Sequence, residues 1–311
     1  MESAGAAGPR AALGLAQVAT AGLLWGTGGL VATVLHDEDG LGAMTASAWR
    51  MVIAAAALLV VALVLGRGRA LLSLARRPGL PLLVGVGTAA YQGLYFLAVL
   101  AAGVSVATVI ALGLAPVLAT AWEQARARAA PSGRRVLVLA AALVGLVLVA
   151  AASGHAGAPG SDPAVGVLLA VASGATYAAT TVLGHHVAGD TDPIVLTTGA
   201  TTAGAVVLAP FLLVAALGDG PVGTTRPGGV ALLVYLGVAT MALAYGLLYS
   251  GLRTTPGSAA TIATLVEPLS AAVLAVVLLD ERLGVTAVAG GVLILLAVVG
   301  TRPQPPVPVD P

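Results

Sequence analysis

Two charged residues stand inside long apolar stretches of this sequence. Glu267 lies in the middle of TIATLVEPLSAAVL (261–274), and Arg50 lies within ASAWRMVIAA (46–55). A guanidinium can bind a carboxylate through paired N–H donors, whereas a glutamate can bind an amino group or exchange a proton. One charge at the centre of a bilayer costs roughly 2.5–3.5 kcal/mol on insertion scales, so such residues usually face a cavity or each other. The two residues therefore indicate a polar binding site within an apolar protein.

Each charge also has a structural interpretation. Arg50 is about seven residues from one end of its apolar segment, roughly 10 Å at 1.5 Å per residue, so its long stem could carry the charge to the membrane surface. Glu267 is near the middle of its segment, and its short side chain cannot reach a surface. Its structural alternative is a protonated acid that hydrogen-bonds a neighbouring helix. The sequence favours a functional role for Glu267 and leaves both interpretations of Arg50 open.

The polar residues around Glu267 share one helix face. Thr261, Thr264, Glu267 and Ser270 recur every three residues, which places them along one side of a helix. Hydroxyl groups on such a face can simply tie helices together. Because this face also carries an acid, it favours the wall of a cavity, and Glu267 is the candidate for proton coupling.

Aromatic residues are scarce and form a second group of candidates. Tyr91 and Tyr95 are one turn apart, and Tyr245 and Tyr249 repeat that spacing. Tyrosine and tryptophan often anchor a helix at the membrane surface. Trp25, Tyr91 and Tyr245 fall nearer the middle of their segments, where a buried polar group needs a partner. We expect these three to line a cavity.

The composition is that of an integral membrane protein. Of 311 residues, 59% are hydrophobic and 9% are charged, and the mean hydropathy is +1.02, whereas a soluble domain carries roughly a quarter charged residues. The absence of cysteine excludes disulfides, iron–sulfur clusters and thiolate zinc sites. The net charge of +1 implies neither a nucleic-acid partner nor a strongly basic tail.

Ten apolar segments are long enough to be membrane spans. Spanning segments of this length are helices, because backbone groups in lipid must be satisfied within the segment. The first is too long for a signal peptide and is expected to be an uncleaved span. The segments are 12–35, 43–66, 79–102, 104–124, 136–153, 164–184, 193–217, 229–250, 257–279 and 285–301.

The two halves of the sequence resemble each other at an offset of 152 residues. Gly22 then aligns with Gly174, and Pro116 aligns with Pro268. Five helices per repeat is an odd number, so we expect the second repeat to be inverted, as in many secondary transporters. The paired prolines are candidate hinges, because proline removes a backbone donor, although neighbouring helices also tolerate such prolines. The predicted parts are a tail (1–11), a repeat (12–153), a linker (154–163), a repeat (164–301) and a proline-rich tail (302–311).

Arginine placement predicts the orientation. With a cytoplasmic N-terminus, eleven of the fourteen basic residues fall on the cytoplasmic side, as the positive-inside rule requires. Both termini are then cytoplasmic, and the protein spans the cell membrane several times.

At the level of motifs the chain resembles the EamA-type transporters of the drug/metabolite transporter superfamily, over residues 12–301. The resemblance rests on ten spans in two repeats and on four local matches. These are LLWGTGG (23–29), the arginine of ASAWRMVIAA (46–55), the pair ALGLAPVLAT (111–120) and TLVEPLSAAV (264–273), and VVLLDERLGVTAVAGGVLILLAV (276–298).

The resemblance implies a substrate path between helices 1–4 and 6–9, with helices 5 and 10 packed aside. It also implies a protein that exports or admits amino acids, related metabolites or drugs. Such a protein has no ATP-binding domain and needs no cofactor, and it is expected to be a monomer or a homodimer. The pathway candidates are Trp25, Arg50, Tyr91, Tyr95, Tyr177, Tyr245 and Glu267.

The sequence thus predicts an all-α membrane protein that moves a small organic metabolite by alternating access. In this hypothesis Arg50 pairs with a substrate carboxylate, and Glu267 binds an amino group or exchanges a proton. Two other classes stay open: a membrane sensor or scaffold subunit that transports nothing, and an intramembrane enzyme. The second is disfavoured because no GxSxG, HExxH or phosphate-loop motif occurs in a suitable context.

Overall fold

The structure, a computed structural model, describes residues 7–76, 79–152, 162–218, 220–279 and 284–301, and every element assigned there is helical. Nine helices in these ranges are long and apolar enough to cross a membrane, and a shorter apolar helix follows them. The prediction of an all-α, multi-pass membrane protein is therefore correct. The proline-rich tail 302–311, most of the linker 154–163 and residues 1–6 of the N-terminal tail lie outside the described residues, as do the acidic positions 280 and 281 of the fourth motif.

The helices follow the predicted segments closely, because apolar runs bounded by Gly, Pro, Asp and Arg set where each one begins and ends. Their bounds are α1 (Ala7–Asp39), α2 (Ala43–Val64), α3 (Gly68–Arg76), α4 (Gly79–Ala102), α5 (Val104–Ala127), α6 (Gly133–Ala152), α7 (Pro163–Asp190), α8 (Pro193–Leu217), α9 (Pro227–Gly237), a π-helical turn (Val238–Leu243), α10 (Ala244–Leu252), α11 (Gly257–Ala263), α12 (Val266–Leu279) and α13 (Val285–Gly300).

Two segments that lie between the predicted spans are also helical. The arginine-rich segment after α2 forms α3, which has no buried residue and lies against α8. Its sequence GRALLSLAR combines arginines with leucines, as expected for an amphipathic helix at a membrane surface. His185 and His186 lie within α7, not in a loop after it. A ring nitrogen of His185 is 2.6 Å from the carbonyl oxygen of Leu252, and this contact with α10 accompanies the longer helix.

The largest contacts join the two halves of the chain. Helices 152 positions apart are counterparts: α1 and α7, α4 and α9–α10, and α5 and α11–α12. α1 packs against α10 and α12 in the other half, and α7 packs against α4 and α5 in the same symmetric way. α2 packs against its own counterpart α8, and α6 packs against its counterpart α13. The interior that contains Arg50 and Glu267 is therefore surrounded by eight elements, and α6 and α13 form a separate pair outside them. The eight are α1, α2, α4, α5, α7, α8, α9–α10 and α11–α12.

Paired glycines make the same close approach in both halves. A methyl group on Gly22 of α1 would lie 2.9 Å from the side chain of Val266, and one on Gly174 of α7 would lie 3.1 Å from Cβ of Leu114. Val266 and Leu114 are themselves 152 positions apart. Small residues at these crossings let the helix backbones approach, which is how membrane helices pack.

Polar contacts close the end of the molecule where α1, α2 and α9 meet. Arg226, just before α9, donates to both carboxylate oxygens of Asp39, from Nε at 3.1 Å and from Nη2 at 2.8 Å, and it also pairs with Glu38. The hydrogen bond to Asp39 raises the pKa of the Arg226 guanidinium above its usual range. Trp49 of α2 donates to the carbonyl oxygen of Val222 at 2.7 Å. We define Glu38, Asp39, Trp49, Val222 and Arg226 as the α1–α9 clasp.

The opposite end has its own polar contacts between the halves. Arg67, after α2, pairs with Asp192 at the start of α8 at 3.1 Å. The carboxylate of Glu123, near the end of α5, accepts from the backbone N–H of Ser258 in α11 at 2.9 Å and also from its hydroxyl. Each end of the molecule is thus joined across the two halves.

Candidate functional site

Glu267 lies at a break in the ninth span. α11 ends at Ala263 and α12 begins at Val266, so that Thr264 and Leu265 form a turn between them. Pro268 accounts for this break, because it cannot donate to the carbonyl of Thr264; that carbonyl instead accepts from the N–H of Glu267 at 2.9 Å. The carboxylate therefore belongs to the first turn of α12, where the helix dipole favours a negative charge.

The equivalent position in the first half is not broken. Pro116 lies inside α5, which runs as one helix from Val104 to Ala127. The two prolines occupy equivalent positions in the sequence but differ in their local backbone, and only the copy that carries the acid is interrupted.

Arg50 points into the protein interior. Its Nη2 donates to the sulfur of Met241 at 3.2 Å, and its Nε is buried without a hydrogen-bond partner in the part of the chain that the structure describes. A thioether is a weak acceptor. Met241 belongs to the π-helical turn Val238–Leu243, and single π turns inside helices are frequent at functional sites. The alternative of an Arg50 that reaches the membrane surface does not fit this geometry.

Arg50 and Glu267 influence each other without touching. Each is among the charges that act on the other, yet no ion pair within 4.0 Å joins them in the described ranges. The Glu267 carboxylate likewise forms no hydrogen bond within those ranges. Two opposite charges that face a shared interior and leave donors and acceptors unused can together hold a ligand that carries both a carboxylate and an amino group.

Trp25 and Tyr245 extend this site from α1 and α10. Their ring centroids are 5.0 Å apart, with the planes tilted by 51°. The indole N–H of Trp25 is buried with no partner among the described residues. A buried indole N–H usually has an acceptor, so Trp25 offers a further donor to a ligand.

Tyr91 and Tyr177 form a second aromatic pair between α4 and α7. Their ring centroids are 4.7 Å apart and the planes are nearly parallel, at 22°. The hydroxyl of Tyr177 shares a 2.7 Å hydrogen bond with the hydroxyl of Thr264, in the turn before Glu267. This contact connects the aromatic pair to the break in the ninth span.

A small cavity lies among the tyrosines. Its volume is about 10 Å³, and Tyr91, Tyr177, Tyr245 and Tyr249 are among its lining residues. That volume accommodates about one water molecule. The interior is therefore closed around the aromatic residues in this conformation.

Tyr95 is placed differently from the other candidates. Its hydroxyl shares a 2.7 Å hydrogen bond with Thr108 of α5, and its ring packs against a separate apolar cluster of α4, α5 and α7. It does not line the small cavity. The sequence grouped it with Tyr91 because of their spacing and because of the family resemblance.

The hydroxyls on the polar face of the ninth span bond to backbone carbonyls, the structural role that the sequence left open for them. Thr261 donates to the carbonyl of Gly257 at 3.1 Å, and Ser270 donates to the carbonyl of Glu267 at 2.8 Å and to that of Leu23 in α1 at 3.2 Å. The hydroxyls thus satisfy backbone groups and tie helices together. Among the residues of this face, Glu267 is the one whose side chain forms no hydrogen bond in the described part of the chain.

Two further residues belong to the neighbourhood of the site. Met241 was not singled out from the sequence, because nothing in an apolar run marks a π turn. Gln92 follows Tyr91 in α4 and is buried, with neither amide atom partnered among the described residues. The sequence already marked Gln92, because an amide within an apolar span needs a hydrogen-bond partner. A buried amide without such a partner favours the binding of a polar group beside it.

Comparisons with known proteins agree with this architecture. The sequence profile of the EamA-like transporter family matches residues 12–151 and again residues 164–302. The chain belongs to the EamA-like transporter family. Like other EamA-like proteins, it is a multi-pass membrane transporter, and members of the family are transporters rather than enzymes.

Two individual proteins are similar to this EamA-like chain. The uncharacterized transporter YwfM of Bacillus subtilis (strain 168) is 30% identical over 214 residues, which cover 69% of this chain and 70% of that protein. A protein crystal structure superposes with a TM-score of 0.77, covering 92% of this chain and 95% of the other at 20% identity. That superposition shows a shared fold.

Proposed function

We propose that the protein is a secondary transporter that moves a small organic metabolite, such as an amino acid or a related compound, by alternating access between two inverted repeats. In this proposal it lies in the cell membrane with both termini in the cytoplasm, and it moves its substrate outward. The observation that carries the proposal is the pair of opposite charges, Arg50 and Glu267, within the membrane-spanning part of the fold. Each has donors or acceptors that the described part of the chain leaves unused.

The charges suggest a zwitterionic substrate. The Arg50 guanidinium would bind the substrate carboxylate through paired N–H donors. The Glu267 carboxylate would bind the amino group, or bind a proton that is exchanged for the substrate. Trp25, Tyr91, Tyr177 and Tyr245 would contact the rest of the molecule, and Tyr95 would act from the periphery of the path.

Closure around the small cavity supports alternating access. About 10 Å³ is far below the roughly 300 Å³ or more of cavities that hold a small organic ligand. A metabolite could therefore bind only after the halves separate on one side. The turn at Thr264–Leu265, caused by Pro268, supports a hinge there, with Pro116 as its counterpart in the first half.

Transport assays in proteoliposomes test the proposal. The purified protein would be assayed for uptake of amino acids and related metabolites with and without a pH gradient. We expect uptake that the gradient stimulates, and we expect Glu267→Gln to lose the stimulation. Asp190→Asn, an exposed carboxylate at the end of α7, is the matched control and should transport as the parent does. Unchanged stimulation in Glu267→Gln would remove the acid from the coupling.

The substrate itself would come from cells. Metabolites inside and outside cells with and without the protein would be compared, and a compound enriched outside only when the protein is present would be carried into the liposome assay. If no compound changes and a second protein purifies with the chain in stable ratio, the alternative of a sensor or scaffold subunit would replace transport.

A further inference from the structure

A second, larger cavity lies away from the site described above. Its volume is about 310 Å³, and it lies between the end of α5, the first turns of α6, the start of α11 and the end of α13. None of its lining residues lines the small aromatic cavity. It separates the α6–α13 pair from the helices that enclose Arg50 and Glu267, so its occupant would bridge the two groups of helices.

The lining of this cavity combines basic, hydroxyl and apolar residues. Arg134 and Arg135 line it at the start of α6, together with hydroxyl residues such as Ser132 and Thr301. Arg134 donates to the carbonyl oxygen of Gly300 at 2.8 Å, which fixes the guanidinium at the mouth between α6 and α13. The remaining surface consists of apolar side chains: Val138, Pro256, Ala259 and Ile262.

The surroundings of the cavity are positively charged. Arg126 and Arg128 are exposed at the end of α5, and a short connection leads from there to Arg134 and Arg135 at the start of α6. The nearby acid, Glu123, holds the backbone N–H and the hydroxyl of Ser258. Arg126 and Arg128 at the end of α5 and Arg134 and Arg135 at the start of α6 therefore concentrate positive charge around the cavity, which favours a bound anion.

Beyond the arginines, α6 presents an apolar surface. Val136 is 52% exposed and Leu137 is 69% exposed, as expected where a helix faces lipid chains. A basic pocket between helices at the arginine-rich membrane surface is the kind of site that holds an anionic lipid headgroup. A volume of about 310 Å³ suits a headgroup rather than a whole lipid, whose chains would lie along α6.

We propose that this cavity binds the phosphate group of an anionic phospholipid from the leaflet on the arginine-rich side. Arg134 and Arg135 would bind the phosphate oxygens, the hydroxyls would bind the glycerol part, and the acyl chains would follow Val136 and Leu137. The bound lipid would hold the α6–α13 pair against α5 and α11. A free phosphate or phosphate ester shares the same chemistry, so the experiment separates the two sources.

Native mass spectrometry of the purified protein tests this site. Phosphatidylglycerol and phosphatidylcholine would be titrated into the micelles, and the bound lipid would be counted. We expect a preference for phosphatidylglycerol, and we expect Arg135→Gln and Arg134→Gln each to weaken its apparent affinity about fivefold, the effect of one basic residue at a membrane surface. Arg126→Gln removes the same charge from the exposed end of α5 and is the matched control, with a smaller effect.

Two further arms decide what the cavity contributes. Ala259→Leu keeps every charge and fills part of the cavity, so it should also weaken phosphatidylglycerol binding if the lipid enters. Inorganic phosphate at millimolar concentration should not displace the lipid. Equal weakening in Arg126→Gln and Arg135→Gln, no effect of Ala259→Leu, or complete displacement by inorganic phosphate would each overturn the proposal. Because the number of bound lipids is measured without any transport assay, this result tests the lipid site separately from the proposed function.

Discussion

The guanidinium of Arg50 lacks strong hydrogen-bond acceptors in the described part of the chain, because its one acceptor there is a thioether. Arg50 donates to Met241 at 3.2 Å, while its Nε has no partner among the described residues. Leaving a buried charged group unpaired is costly, so a protein retains it where a ligand completes it. The same reasoning applies to the indole N–H of Trp25, and in the proposed mechanism both groups would contact the substrate carboxylate.

The first prediction concerns the shape of this cation. Arg50→Lys keeps the charge but loses the planar set of donors, and lysine cannot form the same paired contact with a carboxylate. A lost hydrogen bond to a charged group costs about 1.5–3 kcal/mol, so we expect transport at low substrate concentration to fall roughly ten- to a hundredfold. Uptake rates in proteoliposomes measure this.

The control for Arg50 is a second arginine outside the site. Arg67 pairs with Asp192 at one end of the fold, and its side chain is 49% exposed. Arg67→Lys should therefore leave uptake nearly unchanged. If the Arg50→Lys and Arg67→Lys variants transport equally well, the planar set of N–H donors of Arg50 has no part in substrate binding.

The second prediction concerns the crossing of α1 with α12. A methyl group on Gly26 would overlap the hydroxyl of Ser270 and the carbonyl oxygen of Glu267, so glycine lets α1 lie directly against the turn that carries the acid. Gly26→Ala should lower the free energy of unfolding by roughly 1–3 kcal/mol, the usual cost of overpacking, and should reduce transport. Thermal unfolding in detergent measures the stability.

Gly29 supplies the matched control within the same LLWGTGG motif. A methyl group there meets no atom within 4 Å. Gly29→Ala should be neutral or slightly stabilising, since alanine favours a helix over glycine. Equal destabilisation by the two variants would mean that α1 as a whole, and not its contact with the Glu267 turn, is sensitive to the change.

The third prediction concerns the break between α11 and α12. Pro268→Ala restores the backbone N–H that could bond to the carbonyl of Thr264, so the ninth span should become a continuous helix. We expect a more stable protein with a lower maximal transport rate and a less altered half-saturation concentration, because a hinge is lost while the binding groups remain. Pro116→Ala, in a helix that is already continuous, should change the rate less. A faster or unchanged rate in Pro268→Ala would contradict a hinge at this position.

The positions of the helices could be predicted from the sequence, but their internal irregularities could not. Apolar runs located each span to within a few residues, because hydropathy reports which residues face lipid or protein. The π turn before α10, which packs against α2, depends instead on the register of backbone hydrogen bonds, which hydropathy does not report. Pro268 follows the break between α11 and α12, yet the same residue type at 116 leaves its helix intact. Proline alone therefore does not predict a break.

The candidate site was predicted in part for a similar reason. Intramembrane charge identified Arg50 and Glu267, and the scarcity of aromatic residues identified Trp25, Tyr91, Tyr177 and Tyr245. The lateral arrangement of helices, which brings these residues from both halves to one interior, is not encoded in any local pattern. The partner of Arg50, Met241, could be found only once α2 and the π turn were placed side by side.

At the scale of the whole molecule, polar contacts join the two halves of the chain at both ends. The α1–α9 clasp joins them at the end where Asp39 lies, and the Arg67–Asp192 and Glu123–Ser258 contacts join them at the other. A transporter that alternates between two open states must break one set while keeping the other. In the proposed mechanism, breaking one set of contacts therefore opens the interior to one side of the membrane, and breaking the other set opens it to the opposite side.

The last prediction tests this opposition. The native chain has no cysteine, so Thr88→Cys, which lies beside the small aromatic cavity, would provide the single thiol for a membrane-impermeant reagent added outside whole cells. Adding Arg226→Ala removes the arginine of the α1–α9 clasp, and we expect labelling several-fold faster, because the outer end opens more often. Adding Arg67→Ala instead weakens the opposite end and should leave outside labelling unchanged or slower. Equal acceleration by both changes would indicate general loosening of the fold, and no change in either would mean that these ion pairs do not control access.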